Sequence, residues 1–192
     1  FATKARFGLM AVGGYGRGEL APLSDIDLLF VMPQRHKKSD AEFVEFILYM
    51  LWDLGLVVGH ASRTVHQNIT AASKDITICT SLLEMRHIAG AASVSEQMHS
   101  TFKHWVANQS AGYFVEAKLA ERDQRHARFG GTRYAVEPNV KDGKGGLRDL
   151  HTLFWISKYA YRLDHVRGVL GAGILRTSEA RAFASSQRFL WT

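Results

Sequence analysis

Residues 13 to 27 read Gly-Gly-Tyr-Gly-Arg-Gly-Glu-Leu-Ala-Pro-Leu-Ser-Asp-Ile-Asp, and this stretch decides the fold. One apolar run, Leu9 to Val12, precedes it, and a second, Leu28 to Met32, follows it. Short apolar runs bounded by glycine and polar residues are typical of buried strands. The stretch therefore predicts two strands joined by a glycine-rich loop, with acidic residues at the head of the second strand.

Two aspartates, Asp25 and Asp27, lie one residue apart at the head of that second strand. Because side chains alternate between the faces of a strand, both carboxylates are predicted to point the same way, with Ile26 turned into the core. Adjacent carboxylates repel each other and favour a hard divalent cation such as Mg²⁺, which takes oxygen ligands. We therefore predict that Asp25 and Asp27 are catalytic residues that hold metal.

The glycines before the aspartates predict a turn that binds phosphate. Backbone N–H groups at Gly13 and Gly14 can approach an anion closely. Arg17 is predicted either to reach a phosphate oxygen or to pair with Glu19, and Ser24 either to bond a phosphate or to cap the aspartate turn. A phosphate-binding turn beside a carboxylate pair is the minimum apparatus for phosphoryl or nucleotidyl transfer.

A second glycine-rich segment, residues 137–149, also carries basic side chains. Lys144 and Arg148 flank glycines just before a predicted helix, and a helix N-terminus favours anions. We predict that both residues bind nucleotide. The alternative is a surface loop that joins two helices, in which the glycine pair allows tight packing.

The remaining pattern predicts an α+β protein with two parts. Residues 1–70 are expected to form a nucleotidyltransferase core on a small mixed β-sheet, and residues 71–192 a helical module. Ser39 and Asp40 are expected to cap the first long helix and Gly55 to end it, while Ser93 and Glu96 have the spacing of a capping box. The predicted strands cover 6–12, 25–32 and 56–63, and the predicted helices cover 40–54, 64–73, 76–89 (closed by Gly90), 93–108, 111–129, 150–163 and a last one from 178.

Composition narrows the partners. The 24 Lys and Arg residues exceed the 18 Asp and Glu residues, which gives a net charge of +6 and suits an anionic partner. The basic residues are dispersed, so we expect the anionic partner to be a nucleotide and not nucleic acid.

No run approaches the roughly 18 apolar residues of a membrane span. Cys79 is the only cysteine and is expected to be a small buried residue in a reducing cytoplasm. The chain begins at Phe1 and reads as a piece of a longer protein.

These motifs occur in an order that resembles a known enzyme family. The chain is similar to the nucleotidyltransferase region of the bacterial PII uridylyltransferases, bifunctional uridylyltransferase/uridylyl-removing enzymes of the DNA polymerase β-like nucleotidyltransferase superfamily. Its segment 145–149 also resembles the related glutamine synthetase adenylyltransferases. The matching stretches are residues 12–20, 24–29, 51–56, 58–60, 63–64, 75–77, 81–84, 138–141, 145–149 and 189–191.

The resemblance implies a specific reaction. Asp25 and Asp27 match the family's metal-binding pair, and Gly13 and Gly14 match its phosphate-binding turn. Two Mg²⁺ ions would hold the triphosphate of UTP while a tyrosine hydroxyl of the PII signalling protein attacks the α-phosphate and pyrophosphate leaves. A carboxylate, either Asp27 or a third acid, would take the tyrosine proton.

The chain departs from the superfamily at one point. The superfamily usually places a third carboxylate on the following strand, but residues 57–63 contain no acid. Asp75 or Glu84 is the alternative source of this third carboxylate.

Two other functions remain open: an ATP-dependent adenylyltransferase that acts on glutamine synthetase or another protein, and a fragment that binds nucleotide without catalysis. The family's uridylyl-removing HD domain and glutamine-sensing ACT domains are not expected within these 192 residues.

Overall fold

The structure is a computed structural model that describes residues 5–20, 24–128, 139–163, 173 and 175–191. It divides into two compact units, Phe1–Asn108 and Gln109–Thr192. The first unit contains β1 (Gly8–Ala11), α1 (Gly13–Arg17), β2 (Ile26–Met32), α2 (Lys38–Asp53), β3 (Val58–Thr64), α3 (Val65–Lys74), α4 (Ile76–Leu83), β4 (Arg86–Gly90) and α5 (Ala92–Ala107). The second contains α6 (Ala111–Arg128), α7 (Leu147–Tyr161) and α8 (Thr177–Trp191).

The first unit is built on one mixed sheet with the strand order β3-β2-β1-β4. Strand β1 runs antiparallel to β2 and β4, whereas β2 and β3 are parallel and are connected through α2. A parallel pair requires such a crossover, which explains the long amphipathic segment between these two strands. The predicted α+β fold class is confirmed.

The apolar run of β2 is buried because helices cover the sheet. On one face, β2 packs with Phe7 against α2 in a core cluster. The other face meets α3 and α5, and buried residues of α4 and α5 complete its core. The members of the α2-side cluster are Phe7, Leu28, Phe30, Met32, Val44 and Leu48. Cys79 of α4 is buried, as predicted.

Two predictions about helix ends have different outcomes. Gly55 follows the last turn of α2 with φ +75° and donates its N–H to the Trp52 carbonyl, so the glycine stop is confirmed. The capping box at Ser93 and Glu96 is wrong, because α5 begins one residue earlier and its N-cap, Ala91, makes no side-chain cap. The Ser95 hydroxyl instead lies 2.8 Å from Nδ1 of His87.

The predicted helix over residues 76–89 is also wrong in its second half. Helix α4 ends at Leu83, and Arg86–Gly90 forms the edge strand β4 on β1. The apolar spacing fits a helix, but backbone groups along the edge of β1 need partners that sequence periodicity does not reveal. Gly90 adopts φ +82° against Phe7, where a Cβ would lie 2.4 Å from the Phe7 carbonyl oxygen.

The first unit extends beyond the core predicted from the sequence. The predicted nucleotidyltransferase core ends at residue 70, and the compact unit that contains it continues to Asn108. The reason is that α3 to α5 pack on the sheet and β4 completes it, so these elements bury the sheet face that residues 1–70 would leave open.

The second unit is helical. Rings of Phe114 on α6 and Tyr159 on α7 stack with centroids 3.9 Å apart, and Trp155 of α7 is buried. Helix α7 begins at Leu147, three residues before the predicted start, with Gly146 as its N-cap. Residues 137 and 138 of the predicted glycine-rich segment lie outside the described residues.

Candidate active site

The carboxylate of Asp27 lies between two glycines at the end of the sheet. Asp27 is the second residue of β2, and its partner in the parallel register is Gly59 of β3. A Cβ at Gly59 would lie 2.7 Å from Oδ1 of Asp27, and a Cβ at Gly13 would lie 2.8 Å from Oδ2. At either glycine an added Cβ would force the Asp27 carboxylate to shift, so the two glycines leave the space that this carboxylate occupies.

Asp25 lies one residue before β2 and is exposed, whereas Asp27 is half-buried. Because Asp25 precedes the first residue of β2, strand alternation does not fix the direction of its side chain, and the shared face of the two carboxylates stays a prediction. Across the described residues, no group of three or more His, Cys, Asp or Glu side chains is arranged to hold a metal ion. The acidic candidates at this site are Asp25 and Asp27, and their role as a metal-holding pair stays a prediction.

The predicted phosphate-binding turn is the first turn of α1. Gly13 opens this five-residue helix with φ +58°, and Gly18 ends it with φ +77°. Gly16 donates its N–H to the carbonyl of Val12, the N-cap residue. The N–H groups of Gly13 and Gly14 have no acceptor within the helix, because the first N–H groups of any helix have no carbonyl one turn earlier to bond.

Residues at the end of α4 and the start of β4 contact this turn and hold it in position. Gly16 is seated so close to Glu84 that a Cβ would lie 2.1 Å from the Glu84 carbonyl oxygen. Arg86 donates from Nη2 to the carbonyl of Tyr15 (2.9 Å) and from Nε to that of Gly16 (3.3 Å), and its guanidinium lies 5.5 Å from the centre of the Tyr15 ring. Arg86 thus gives a donor to the carbonyl of Gly16 at the C-terminal end of the helix and a second donor to the carbonyl of Tyr15, which also accepts from the N–H of Gly18.

Arg17 pairs with two carboxylates. Its Nε lies 3.1 Å from Oε2 of Glu19 and its Nη1 lies 3.4 Å from Oε2 of Glu84, whose side chain is 1% exposed. The predicted pair with Glu19 is therefore present, and the phosphate-binding role of Arg17 stays a prediction.

The two candidates for a third acid both serve local structure. The carboxylate of Glu84 pairs with Arg17, as described above. The carboxylate of Asp75 caps α4 by accepting from the backbone N–H groups of Thr77 (2.7 Å) and Ile78 (3.4 Å). On β3 itself, the position that faces Asp27 is Gly59, and its side-chain space is filled by the Asp27 carboxylate.

A cavity of about 280 Å³ opens beside Asp27. Its walls come from β2, β3, α3 and α4, and its lining includes Asp27 but not, among the described residues, Asp25. Polar groups around it include the side chains of Arg63, Asn68, Thr77 and Ser81. A cavity of this kind next to a half-buried carboxylate is the default location for a small ligand.

Comparison with known proteins shows which family this chain resembles. Residues 3–79 match a family model described as "Nucleotidyltransferase domain", and residues 113–192 match one described as "GlnD PII-uridylyltransferase". The bifunctional uridylyltransferase/uridylyl-removing enzyme of Azospirillum brasilense is 51% identical over 97% of this chain, which corresponds to 20% of its own length. The enzymes of that name from Nitrobacter hamburgensis and Rhodospirillum rubrum are 51% and 48% identical over 97% and 96% of this chain, again 20% of their length. Over nearly its whole length, this chain is similar to the PII-uridylyltransferases.

The family resemblance inferred from the motifs is therefore confirmed. The chain spans about a fifth of the length of the curated PII-uridylyltransferase relatives it matches. No helix among the described residues is both long enough and apolar enough to cross a membrane.

The other predicted nucleotide-binding residues are divided between the two units. Ser24 is half-buried and precedes β2, next to residues 21–23, which the structure leaves undescribed. Lys144 is exposed and Arg148 is half-buried, both in the second unit, where Nε of Arg148 lies 3.4 Å from Oδ1 of Asp142. Their nucleotide-binding roles stay predictions.

Sequence reasoning missed Gly59, Arg63 and Arg86 as site residues. Gly59 could have been found: a glycine inside a strand pattern often marks a close approach by another group. Arg86 could not, because its partners are carbonyls about seventy positions earlier in the chain.

Proposed function

We propose that this chain carries the nucleotidyltransferase centre that moves UMP from UTP to a tyrosine of a PII signalling protein and releases pyrophosphate. The observation that carries the proposal is the Asp27 carboxylate, which lies between Gly13 and Gly59 beside the cavity in a chain similar to the PII-uridylyltransferases. The cytoplasmic location inferred from the sequence stays a prediction.

The residues fit magnesium. Asp25 and Asp27 offer only carboxylate oxygens, the donors that Mg²⁺ prefers. The cradle around Asp27 also fits, because a Cβ on either flanking glycine would fill the space of a carboxylate oxygen. Two bound Mg²⁺ ions would supply charge neutralisation for the triphosphate and for the oxygens that attack and leave.

The protein's own groups are proposed to bind and orient the reactants. The amides of Gly13 and Gly14 would donate to phosphate oxygens. Arg86 positions these amides, because it bonds the carbonyl of Tyr15 in the same short helix. The tyrosine oxygen forms a bond to the α-phosphorus, and the bond from that phosphorus to the bridging oxygen breaks. Pyrophosphate leaves with the electron pair, and a carboxylate, Asp27 or a third acid, takes the tyrosine proton.

The direct experiment measures transfer of labelled UMP to a PII protein by the full-length natural protein. UTP and ATP are compared at equal concentration with Mg²⁺, and the Asp25→Asn and Asp27→Asn variants serve as tests of the pair. Labelling from UTP that both variants abolish would support the proposal. Labelling from ATP alone would identify an adenylyltransferase instead.

A second candidate is nucleotide binding without catalysis. It is favoured by the absence of an acid on β3, where Gly59 occupies the position facing Asp27, and by the structural partners of Asp75 and Glu84. Under this alternative the wild-type protein binds UTP with Mg²⁺ but labels no protein substrate.

A further inference from the structure

Arg63 differs from the other arginines whose contacts are described in the first unit. Arg6 pairs with Asp40, Arg17 pairs with two glutamates, and Arg86 bonds two carbonyls. For the half-buried side chain of Arg63, in contrast, no hydrogen bond or ion pair is seen among the residues that the structure describes. A partly desolvated guanidinium without an acidic partner is costly unless a ligand supplies the negative charge.

The location of Arg63 makes this cation relevant to the site. Gly59, Ala61 and Arg63 alternate along β3 and share one face, which is the face of Asp27 because Gly59 pairs with Asp27 in register. Arg63 also lines the same cavity as Asp27. The lining of the cavity therefore includes both a residue with a carboxylate and a residue with a guanidinium group.

The spacing along β3 limits what can bridge these groups. Arg63 lies four positions after Gly59, which corresponds to about 13 Å between their backbones at the usual rise of a strand. The long side chain of Arg63 can cover part of this distance, and a triphosphate held at Asp27 extends further toward it than a single phosphate does. The guanidinium fork matches phosphate oxygens in charge and geometry.

We propose that Arg63 binds the terminal phosphate of a nucleoside triphosphate whose α-phosphate lies at Asp27. This inference rests on the proposed function and adds to it the cation in the first unit that holds the polyphosphate tail. Arg17 is engaged by Glu19 and Glu84, so Arg63 fulfils the role that the sequence pattern suggested for Arg17.

The test compares ligands that differ only in phosphate number. Equilibrium affinities of UTP, UDP and UMP are measured with Mg²⁺ for the full-length natural protein and for Arg63→Gln, Arg63→Lys and Arg6→Gln. Arg6→Gln is the matched control, because the same substitution is made at an arginine that pairs with Asp40 outside the cavity. Thermal unfolding of each variant reports on folding.

For Arg63→Gln we expect a loss of UTP affinity of about tenfold to a hundredfold, because charge-assisted hydrogen bonds to phosphate are removed. UMP affinity should not change, Arg63→Lys should retain part of the UTP affinity, and Arg6→Gln should behave like the wild type. The unfolding temperature of Arg63→Gln should not fall, since no partner within the described residues is lost.

An equal loss for UMP and UTP would overturn the proposal, since Arg63 would then contact the base or the ribose. Unchanged UTP affinity, or a lowered unfolding temperature with unchanged affinity, would overturn it as well. Failure of the proposed function looks different: the wild type would bind UTP through Arg63 yet transfer no UMP to a PII protein.

Discussion

The two glycine-rich segments, residues 13–27 and 137–149, look alike in sequence, but their glycines leave space for different groups. In the first, Gly13 leaves space for the carboxylate of Asp27, a group that faces a cavity. In the second, Gly143 and Gly146 leave space for backbone: Cβ atoms there would each lie 2.6 Å from a carbonyl oxygen, of Asn139 and Val140 respectively. The same composition therefore leaves space for a carboxylate beside a cavity in one place and for loop backbone in the other.

The second segment also holds an anion of its own. The carboxylate of Asp149 accepts from the N–H of Gly145 at 2.8 Å and contacts the side chains of Arg125 and His126. Groups that would attract a phosphate are thus bonded to a side chain of the same unit. In this segment the chain supplies a counter-ion for Arg125 and His126, and the predicted nucleotide-binding roles of Lys144 and Arg148 remain to be tested.

The most severe test of this contrast exchanges one carboxylate in each segment. Asp27→Asn should lower UMP transfer by about a thousandfold or more, because the proposed mechanism loses a charged ligand of Mg²⁺, and should leave folding intact. Asp149→Asn should instead lower the free energy of unfolding by about 1–3 kcal/mol, because Arg125 loses its partly buried partner. Activity assays and urea unfolding of both variants give the result, and loss of activity without loss of stability in Asp149→Asn would break the contrast.

Alanine substitution of glycine gives the next largest effect. Gly59→Ala should reduce transfer by about a hundredfold, because the added methyl group displaces the Asp27 carboxylate and small displacements at a reacting centre are that costly. Stability should be maintained, since φ at Gly59 is not positive.

Two other glycines calibrate that experiment. Gly143→Ala should cost about 1–3 kcal/mol of stability by overpacking against Asn139, without the same loss in transfer rate. Gly112→Ala places a Cβ 3.6 Å from the Ser110 hydroxyl, an ordinary contact, and should be neutral or slightly stabilising. A Gly59→Ala protein as active as Gly112→Ala would show that the Asp27 cradle is unimportant.

Arg86 should have an intermediate effect. Arg86→Gln removes the bonds to the carbonyls of Tyr15 and Gly16, so α1 becomes less well positioned. We expect kcat for transfer to fall by roughly tenfold, in line with loss of positioning, while KM for the PII protein is unchanged. Arg86→Lys should restore part of the rate. Steady-state kinetics would contradict this if the loss appeared only in thermal stability and not in kcat.

The extent to which the sequence predicted the molecule follows from the range of the interactions. Strands β1 to β3 and the end of α2 at Gly55 were predictable because alternation and a positive φ are local. Strand β4 was not, since its pairing with β1 spans about eighty residues. Likewise, the sequence indicated Asp27 through its spacing from Asp25, but the contact of Asp27 with Gly59 requires the register of the parallel pair.

The smallest effect concerns a buried lysine in the second unit. Lys118 is 2% exposed, lies 2.6 Å from Oε2 of Glu121 and has its Nζ 4.6 Å from the centre of the Trp155 ring. Burial lowers the pKa of Lys118 below its ordinary value of 10.5, and the bond to Glu121 offsets this only in part. Between its folded pKa and 10.5 the unfolded chain binds the proton and the folded chain does not, so this group makes stability rise with pH across that window.

Urea unfolding at a series of alkaline pH values, with Lys118→Met as the variant, measures this contribution. The difference in the free energy of unfolding between wild type and variant should shift in favour of the wild type as pH rises toward 10.5. Lys141→Met, at an exposed position of the same unit, is the matched control and should show no such trend. A difference that stayed constant with pH would mean that Glu121 and Trp155 fully compensate for burial of the ammonium group. The pKa of Lys118 would then not be lowered by folding.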